Sequence, residues 1–282
     1  MIIMMAAALS ACGHRASQAK GTDGTDSTSV AGGQDTAKSA EPSAVSVETV
    51  KFEKSDSTAE VSVLVQWPVE GERPLIDSLR HHISELLDGE VDGPKAIQAY
   101  GKALFESVSE DWHSVYDETD ADGRGVAFSK TYDITLLTDT DGYVSYFYHE
   151  FNYGGGAHGY TTEVGFTFRK SDGKQVPLLT NTDSPQLAKL VKEGVRRFFS
   201  DSAEQPLSDE ALLEYLFAGD VSALDNIPLP ANPPYLSGAG VVFLYTQYEI
   251  APYSSGIITF EIPFKDIRPF LTEEAKAMIP ER

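Results

Sequence analysis

The sequence predicts an α+β fold, with antiparallel sheets that carry helices packed on one face, in two consecutive subdomains. Three observations predict it. Alternating apolar and polar runs occur in groups, as half-buried strands do. Segments with apolar residues at helical spacing lie between those groups. Asp141-Gly142 and Asp172-Gly173, both tight-turn dipeptides, punctuate the central strand series. Strands near in sequence then pair with each other, and helices cover them.

The elements follow in order from Val45. SVETVKFEK and EVSVLVQWPV alternate and read as strands. Pro74 opens a helix with Leu75, Leu79, Ile83, Leu86 and Leu87 on one face, and Gly89 closes it. PKAIQAYGKALFESVSEDW is a second helix, less regular because of Gly101. AFSKTYDITLLTD, YVSYFYHEFNY and TTEVGFTFRK form an antiparallel meander. SPQLAKLVKEGVRRFFS is a helix capped by Ser184, with a stripe of Leu187, Leu190, Val191, Val195 and Phe198. SDEALLEYLFAG is a shorter helix capped by Ser208, its first turn acidic. IPLPANPPYL crosses over, VVFLYTQYEI and GIITFEIPF return to strand, and TEEAKAMI ends the chain as a short helix.

Ahead of this folded part the chain is of another kind. MIIMMAAALSAC is a short apolar run that ends in Leu9-Ser10-Ala11-Cys12, the lone cysteine. It resembles the lipobox of bacterial lipoproteins, which implies a signal peptide over residues 1–11 and a lipid on Cys12. No Lys or Arg precedes the apolar run, a departure from the usual positively charged start. Residues 12–44 are rich in Gly, Ser, Thr, Asp and Ala and read as a flexible tether. The expected localisation is the bacterial cell envelope, outside the cytoplasm, with contact to membrane through the lipid only.

The net charge is −21; the tether holds three cations and four anions, so the rest of the chain keeps −20. Such acidity argues against nucleic acid, whose phosphates would be repelled, and against a polybasic membrane surface. It suits a basic partner, a bound cation, or plain solubility. A lone cysteine excludes an internal disulfide framework and a cysteine-rich zinc site.

The candidate site begins with FNYGGGAHGYTTEV. Gly154, Gly156 and Gly159 fit a dinucleotide fingerprint, but a strand follows where a helix should hold the pyrophosphate. The run, Gly155 included, is thus a glycine-rich connection between strands, and His158 either packs and caps or meets a ligand. DETDADGRG resembles the front of a calcium loop through Glu118, Asp120, Asp122 and Gly123, but Ser129 stands where a bidentate acid should close it. His81 and His82 are adjacent on a helix, point apart and belong to an exposed face. No nucleophile elbow is present, and no catalytic residue, metal or cofactor is assigned. A second candidate stretch, Tyr245 to Gly256, holds Tyr248, Glu249 and Tyr253 around a Pro252 corner. It reads either as a strand ending in a proline turn or as an aromatic recognition edge.

YGGGAHGY, then SDGKQVPLLTNTD, a helix, and YEIAPYSSG before a strand together resemble the C-terminal domain of RsiV-like proteins, shared with PdaC-type peptidoglycan deacetylases. The resemblance places that domain at residues 141–282 and its usual partner domain at 45–140. It implies an envelope-facing recognition module and, from the anti-sigma members, binding of lysozyme. A catalytic deacetylase domain and a sigma-binding segment have no counterpart in the residues compared. The candidate recognition residues are Tyr153, His158, Tyr160, Tyr248, Glu249 and Tyr253, with the loop glycines Gly154, Gly155, Gly156 and Gly159 beside them. The expected partner is a basic protein such as lysozyme, or a peptidoglycan fragment. A structural envelope lipoprotein and an enzyme acting on cell-wall material are the alternatives. The resemblance also implies that the two stretches meet, if their strands share a sheet.

Overall fold

The computed structural model describes residues 44–116, 125–200 and 206–281. The residues expected to form a signal peptide, Cys12 and nearly all of the expected tether lie outside the described residues, as do Glu118, Asp120, Asp122 and Gly123 of the calcium-like stretch. Among the described residues no helix is long and apolar enough to cross a membrane.

The fold is α+β. Strands β1 (Ser46–Ser55) and β2 (Ala59–Glu70) form an antiparallel pair, and helices α1 (Arg73–Leu86) and α2 (Pro94–Val115) follow. Strands β3 (Phe128–Asp139), β4 (Tyr143–Tyr153) and β5 (Tyr160–Arg169) are the expected meander. The five strands make one sheet in the order β1-β2-β3-β4-β5. One pairing departs from the antiparallel expectation: β2 and β3 run parallel. The two helices between them carry the chain back to the starting end of the sheet, as a parallel connection requires. Helix α2 runs unbroken through Gly101, over which the Phe52 ring packs.

The second half begins with α3 (Pro185–Phe199) and the short α4 (Asp209–Leu213). Strands β6 (Tyr235–Leu236), β7 (Gly240–Tyr245) and β8 (Ile258–Pro263) form a separate antiparallel sheet, followed by α5 (Phe264–Ile267) and α6 (Glu273–Met278). Ser208 caps α4 by accepting from the Ala211 N–H, as expected. Ser184 sits at the start of α3, but its hydroxyl donates to Gln186 Oε1 and caps nothing. Phe198 leaves the buried stripe of α3 and is exposed. The expected strand VVFLYTQYEI stops at Tyr245, and residues 246–250 turn away.

Two hydrophobic clusters organise the described unit. The first holds Val61, Val63, Val65 and Trp67 of β2 against Leu75, Leu79 and Ile83 of α1 and Ile97 and Phe105 of α2. Because strand side chains alternate, these helices cover one face of the five-stranded sheet. The second gathers Leu187, Val191 and Val195 of α3 against Phe243, Tyr245, Phe260 and Ile262. Strand β4 serves both: Tyr146 enters the first cluster and Tyr143 the second, where its hydroxyl donates to the Ser237 carbonyl. The two sheets also touch through β5 and β6. The Leu236 N–H donates to Thr167 Oγ1 over 2.9 Å. Gly165 lets the Tyr235 ring lie on the strand, since a Cβ there would come within 2.1 Å of it.

Candidate functional site

The glycine loop 154–159 joins β4 to β5, and the turn 246–257 joins β7 to β8. They belong to different sheets, yet they meet. The shared sheet on which their meeting was expected to depend does not exist; the abutting edges β5 and β6 bring them together instead.

The loop folds back at Gly155 and Gly156, with φ of 91° and 90°, values an L side chain rarely adopts. The Tyr153 hydroxyl donates to the Gly156 carbonyl over 3.2 Å and ties the loop to the strand it leaves. His158 Nδ1 lies 2.9 Å from the Gly159 carbonyl oxygen. A carbonyl only accepts, so Nδ1 carries the proton, and Nε2 of the neutral ring is left as an acceptor. The Tyr253 hydroxyl donates to the same carbonyl over 2.8 Å, which uses both its lone pairs. The His158 and Tyr253 rings stack at 3.8 Å and 22°. The Tyr248 ring is 5.7 Å from that of Tyr253, and its hydroxyl lies 3.5 Å from His158 Nε2, a long contact.

Tyr248 has φ of +66°, the one aromatic residue among the non-glycine positive values in the described residues. Such a backbone costs on the order of 1–3 kcal/mol and persists only where neighbours fix it. Here Glu249 and Gln247 do so. The Glu249 carboxylate accepts from the Thr246 N–H (2.7 Å) and hydroxyl (3.1 Å) and from the Ala231 N–H (2.7 Å). Buried Gln247 accepts from the Thr161 N–H over 3.0 Å and so pins the turn to β5. The result holds the Tyr248 ring 52% exposed, above the His158–Tyr253 stack.

Of the residues singled out in the sequence, His158, Tyr248 and Tyr253 thus join one network that reaches solvent through His158 and Tyr248, while the Tyr153 hydroxyl bonds within its own loop, to Gly156. Tyr160 is exposed at the first position of β5. Glu249 has its carboxylate turned inward on three donors, so it builds the turn. Gln247 was missed because one amide in a tyrosine-rich turn has no periodicity to betray it. His82, expected on an exposed face, packs edge-on against Phe166 at 4.3 Å; burial holds its pKa below the ordinary value.

A second polar feature lies on the sheet face away from α1 and α2. One register row runs Lys51, Leu64, Asp133, His149 and Glu163 across all five strands. His149 Nδ1 is 3.0 Å from Glu163 Oε1. Burial raises the Asp133 carboxyl above its ordinary pKa, opposed by His149 and Lys51. Among the described residues no group of three His, Cys, Asp or Glu side chains is placed to hold a metal ion.

Residues 179–265 match the family model DUF3298, a protein family of unknown function. That span contains the Tyr248–Tyr253 half of the patch and leaves the 154–159 loop outside. A DUF3298 family member of known crystal structure from Bacteroides fragilis is similar over 82% of this chain and 94% of its own, at 17% identity and a TM-score of 0.66. A second, from Pseudomonas aeruginosa, is similar over 84% of this chain and 98% of its own, at 15% identity and a TM-score of 0.52. At such identities the likeness is one of fold. No curated protein matches the chain.

Proposed function

We propose that this chain is a recognition module of the bacterial cell envelope, held by a lipid on Cys12. In this reading the His158–Tyr248–Tyr253 patch captures an extracytoplasmic partner. The observation that carries it is Tyr248. A strained backbone at an aromatic residue, fixed by Glu249 and Gln247, presents an exposed ring beside an exposed histidine whose acceptor nitrogen faces the Tyr248 hydroxyl. Strain of this kind concentrates at binding sites because the surrounding structure must sustain it. Tyrosine with one apolar face and a wet hydroxyl is a preferred contact residue.

The resemblance to RsiV-like proteins and the charge of −21 direct the choice of partner to a basic protein, lysozyme first, and to peptidoglycan fragments second. Opposite charge speeds such an encounter and makes it sensitive to salt. The test is a titration of the protein with lysozyme at two salt concentrations, repeated with His158→Ala and Tyr253→Ala. The expected result is binding that weakens with salt and falls by about tenfold or more in either variant, the range of a contact worth over 1.4 kcal/mol. No binding of lysozyme or of muropeptides at either salt overturns the reading.

A further inference from the structure

The turn that displays Tyr248 has a second side. Glu249 and Ile250 form one wall of an apolar pocket of about 260 Å³, closed by Leu216, Phe217, Ile227 and Pro228. The Phe217 N–H donates to the Ile250 carbonyl over 2.8 Å, so the pocket is fastened to the same turn. Phe217 is 62% exposed and Tyr248 52%, the two most exposed aromatic side chains among the described residues. They stand on strands of chain joined by that one bond. Phe217 is continuous with the apolar lining of Leu216, Ile227, Pro228 and Ile250, and it is such a contiguous apolar surface, more than a single exposed ring, that marks an interaction site.

Charge says what kind of group that is. From Phe198 to Phe264 the chain has nine Asp and Glu and not one Lys, Arg or His. Glu214 and Asp220 flank the pocket segment 216–219 in sequence, while the Glu249 carboxylate in the wall is held by the Thr246 and Ala231 donors. Two acids of the stretch, Asp209 and Asp225, are bonded to Lys192 of α3. The pocket is also smaller than the roughly 300–1,000 Å³ that small-molecule sites occupy. It is of the size to take one side chain of a larger partner, the usual form of an anchor.

We infer that the Phe217–Ile250 pocket is an anchor site for a single large apolar side chain, Phe or Leu, presented by a segment of a protein with Lys or Arg on either side of it. This rests on the reading of the chain as a module that captures a basic partner, and it adds a site that the His158 patch does not contain. The flanking cations would face Glu214 and Asp220, and the apolar side chain would cover Phe217. Neither half suffices alone: surface charge pairs contribute little, and the apolar anchor supplies the affinity.

The test uses three labelled peptides, Lys-Lys-Phe-Lys-Lys, Lys-Lys-Gly-Lys-Lys and Glu-Glu-Phe-Glu-Glu, titrated into the full chain and followed by anisotropy and by amide shifts of residues 216–228. The first is expected to bind about tenfold or more tightly than either other, because it alone brings both the buried ring and the flanking cations. Phe217→Ser, an exposed change that spares the fold, and Ala223→Phe, which fills the cavity, are each expected to remove that advantage. His158→Ala is expected to leave it. Equal binding of the glycine peptide overturns the anchor, and equal binding of the acidic peptide overturns the charge requirement. Loss with His158→Ala but not with Phe217→Ser moves the peptide to the tyrosine patch, which keeps the proposed function and sinks this pocket.

Discussion

The two halves of the molecule bury polar groups by opposite means. Around the five-stranded sheet the interior is neutral and phenolic. The Tyr146 hydroxyl donates to the Gln66 carbonyl, Tyr148 donates to Glu150, and the Tyr100 and Tyr132 rings meet edge to face at 6.0 Å. Burial pushes all four hydroxyls further from ionisation. The buried charge of this half, Lys170, sits at the rim beside Asp139. The half that matches the family model builds its helix layer on ions instead. Lys192 lies 2.9 Å from Asp209 and 2.7 Å from Asp225, and Arg196 reaches Asp209 at 2.6 Å and the Leu207 carbonyl at 2.6 Å. One chain thus holds a core whose buried polar groups are mainly neutral hydroxyls beside one built on ion pairs. The candidate patch straddles both, since His158 belongs to the first half and Tyr253 to the second.

The sharpest way to break this comparison is to show that the halves unfold separately. Leu79 of α1 and Leu187 of α3 are fully buried, one in each cluster. Truncation of either to Ala is expected to cost about 2–5 kcal/mol. Residues 40–282 cluster as one compact unit, and Tyr143, Leu236 and Gly165 interlock the sheets. Both variants are therefore expected to lower the midpoint of a single urea transition seen alike by circular dichroism and tyrosine fluorescence. Two transitions, with each variant moving only one, would make the halves independent.

The ion cluster gives the next largest effect. Asp209 titrates below its ordinary 3.8 because Arg196 and Lys192 hydrogen-bond its carboxylate. A depressed folded-state pKa stabilises the protein above the unfolded value and loses that contribution as pH falls through the folded one. Asp209→Asn is expected to cost about 1–2 kcal/mol at pH 7, since it weakens charge-assisted bonds while leaving Asp225 and Glu193 to the two cations. The difference from the parent is expected to shrink below pH 4 and vanish at lower pH. Urea titrations at pH 7, 4 and 2.5 check this; a cost that stays constant with pH would show that Asp209 acts through shape alone.

How much of this was legible in the sequence follows the range of the forces involved. Strand alternation, the Pro74 and Ser208 helix starts and the Asp-Gly turns are local, and each stands where its residues place it. Most of what failed is non-local, the Ser184 cap and the end of β7 before Thr246 being the local exceptions. Nothing within β2 or β3 says that they run parallel; that is decided by the two helices between them. Phe198 fits the helical stripe of α3 by spacing, yet the neighbours that α3 meets cover only Leu187, Val191 and Val195 fully. VVFLYTQYEI alternates like a strand past Tyr245, but Glu249 folds back on Thr246 and ends it. In the site, glycine and tyrosine composition marked the two loops. Their contact and the Gln247 pin come from which sheet edges abut, and the Phe217 pocket from residues 216–228 meeting the turn at 249–250; no segment carries that information by itself.

The smallest effect tests the comparison at its weak point, because the neutral half has one ionisable row on its open face. Asp133 is the reverse of Asp209. Burial raises its carboxyl above the ordinary 3.8, with His149 and Lys51 only partly offsetting this, and Glu163 on the far side of His149 adds a like charge to the row. A raised folded-state pKa favours the folded protein when the group is protonated, so that benefit is present below the unfolded pKa and lost as pH rises through the folded one. Asp133→Asn keeps the shape and removes the buried charge. It is expected to stabilise the protein by about 0.5 kcal/mol at pH 7 and by nothing below pH 3. The two aspartate variants should therefore shift stability in opposite directions at pH 7 and converge on the parent in acid. If Asp133→Asn destabilises at pH 7, the carboxylate is held by His149 as Asp209 is held by Arg196, and the division into a neutral and an ionic half gives way to two ionic ones.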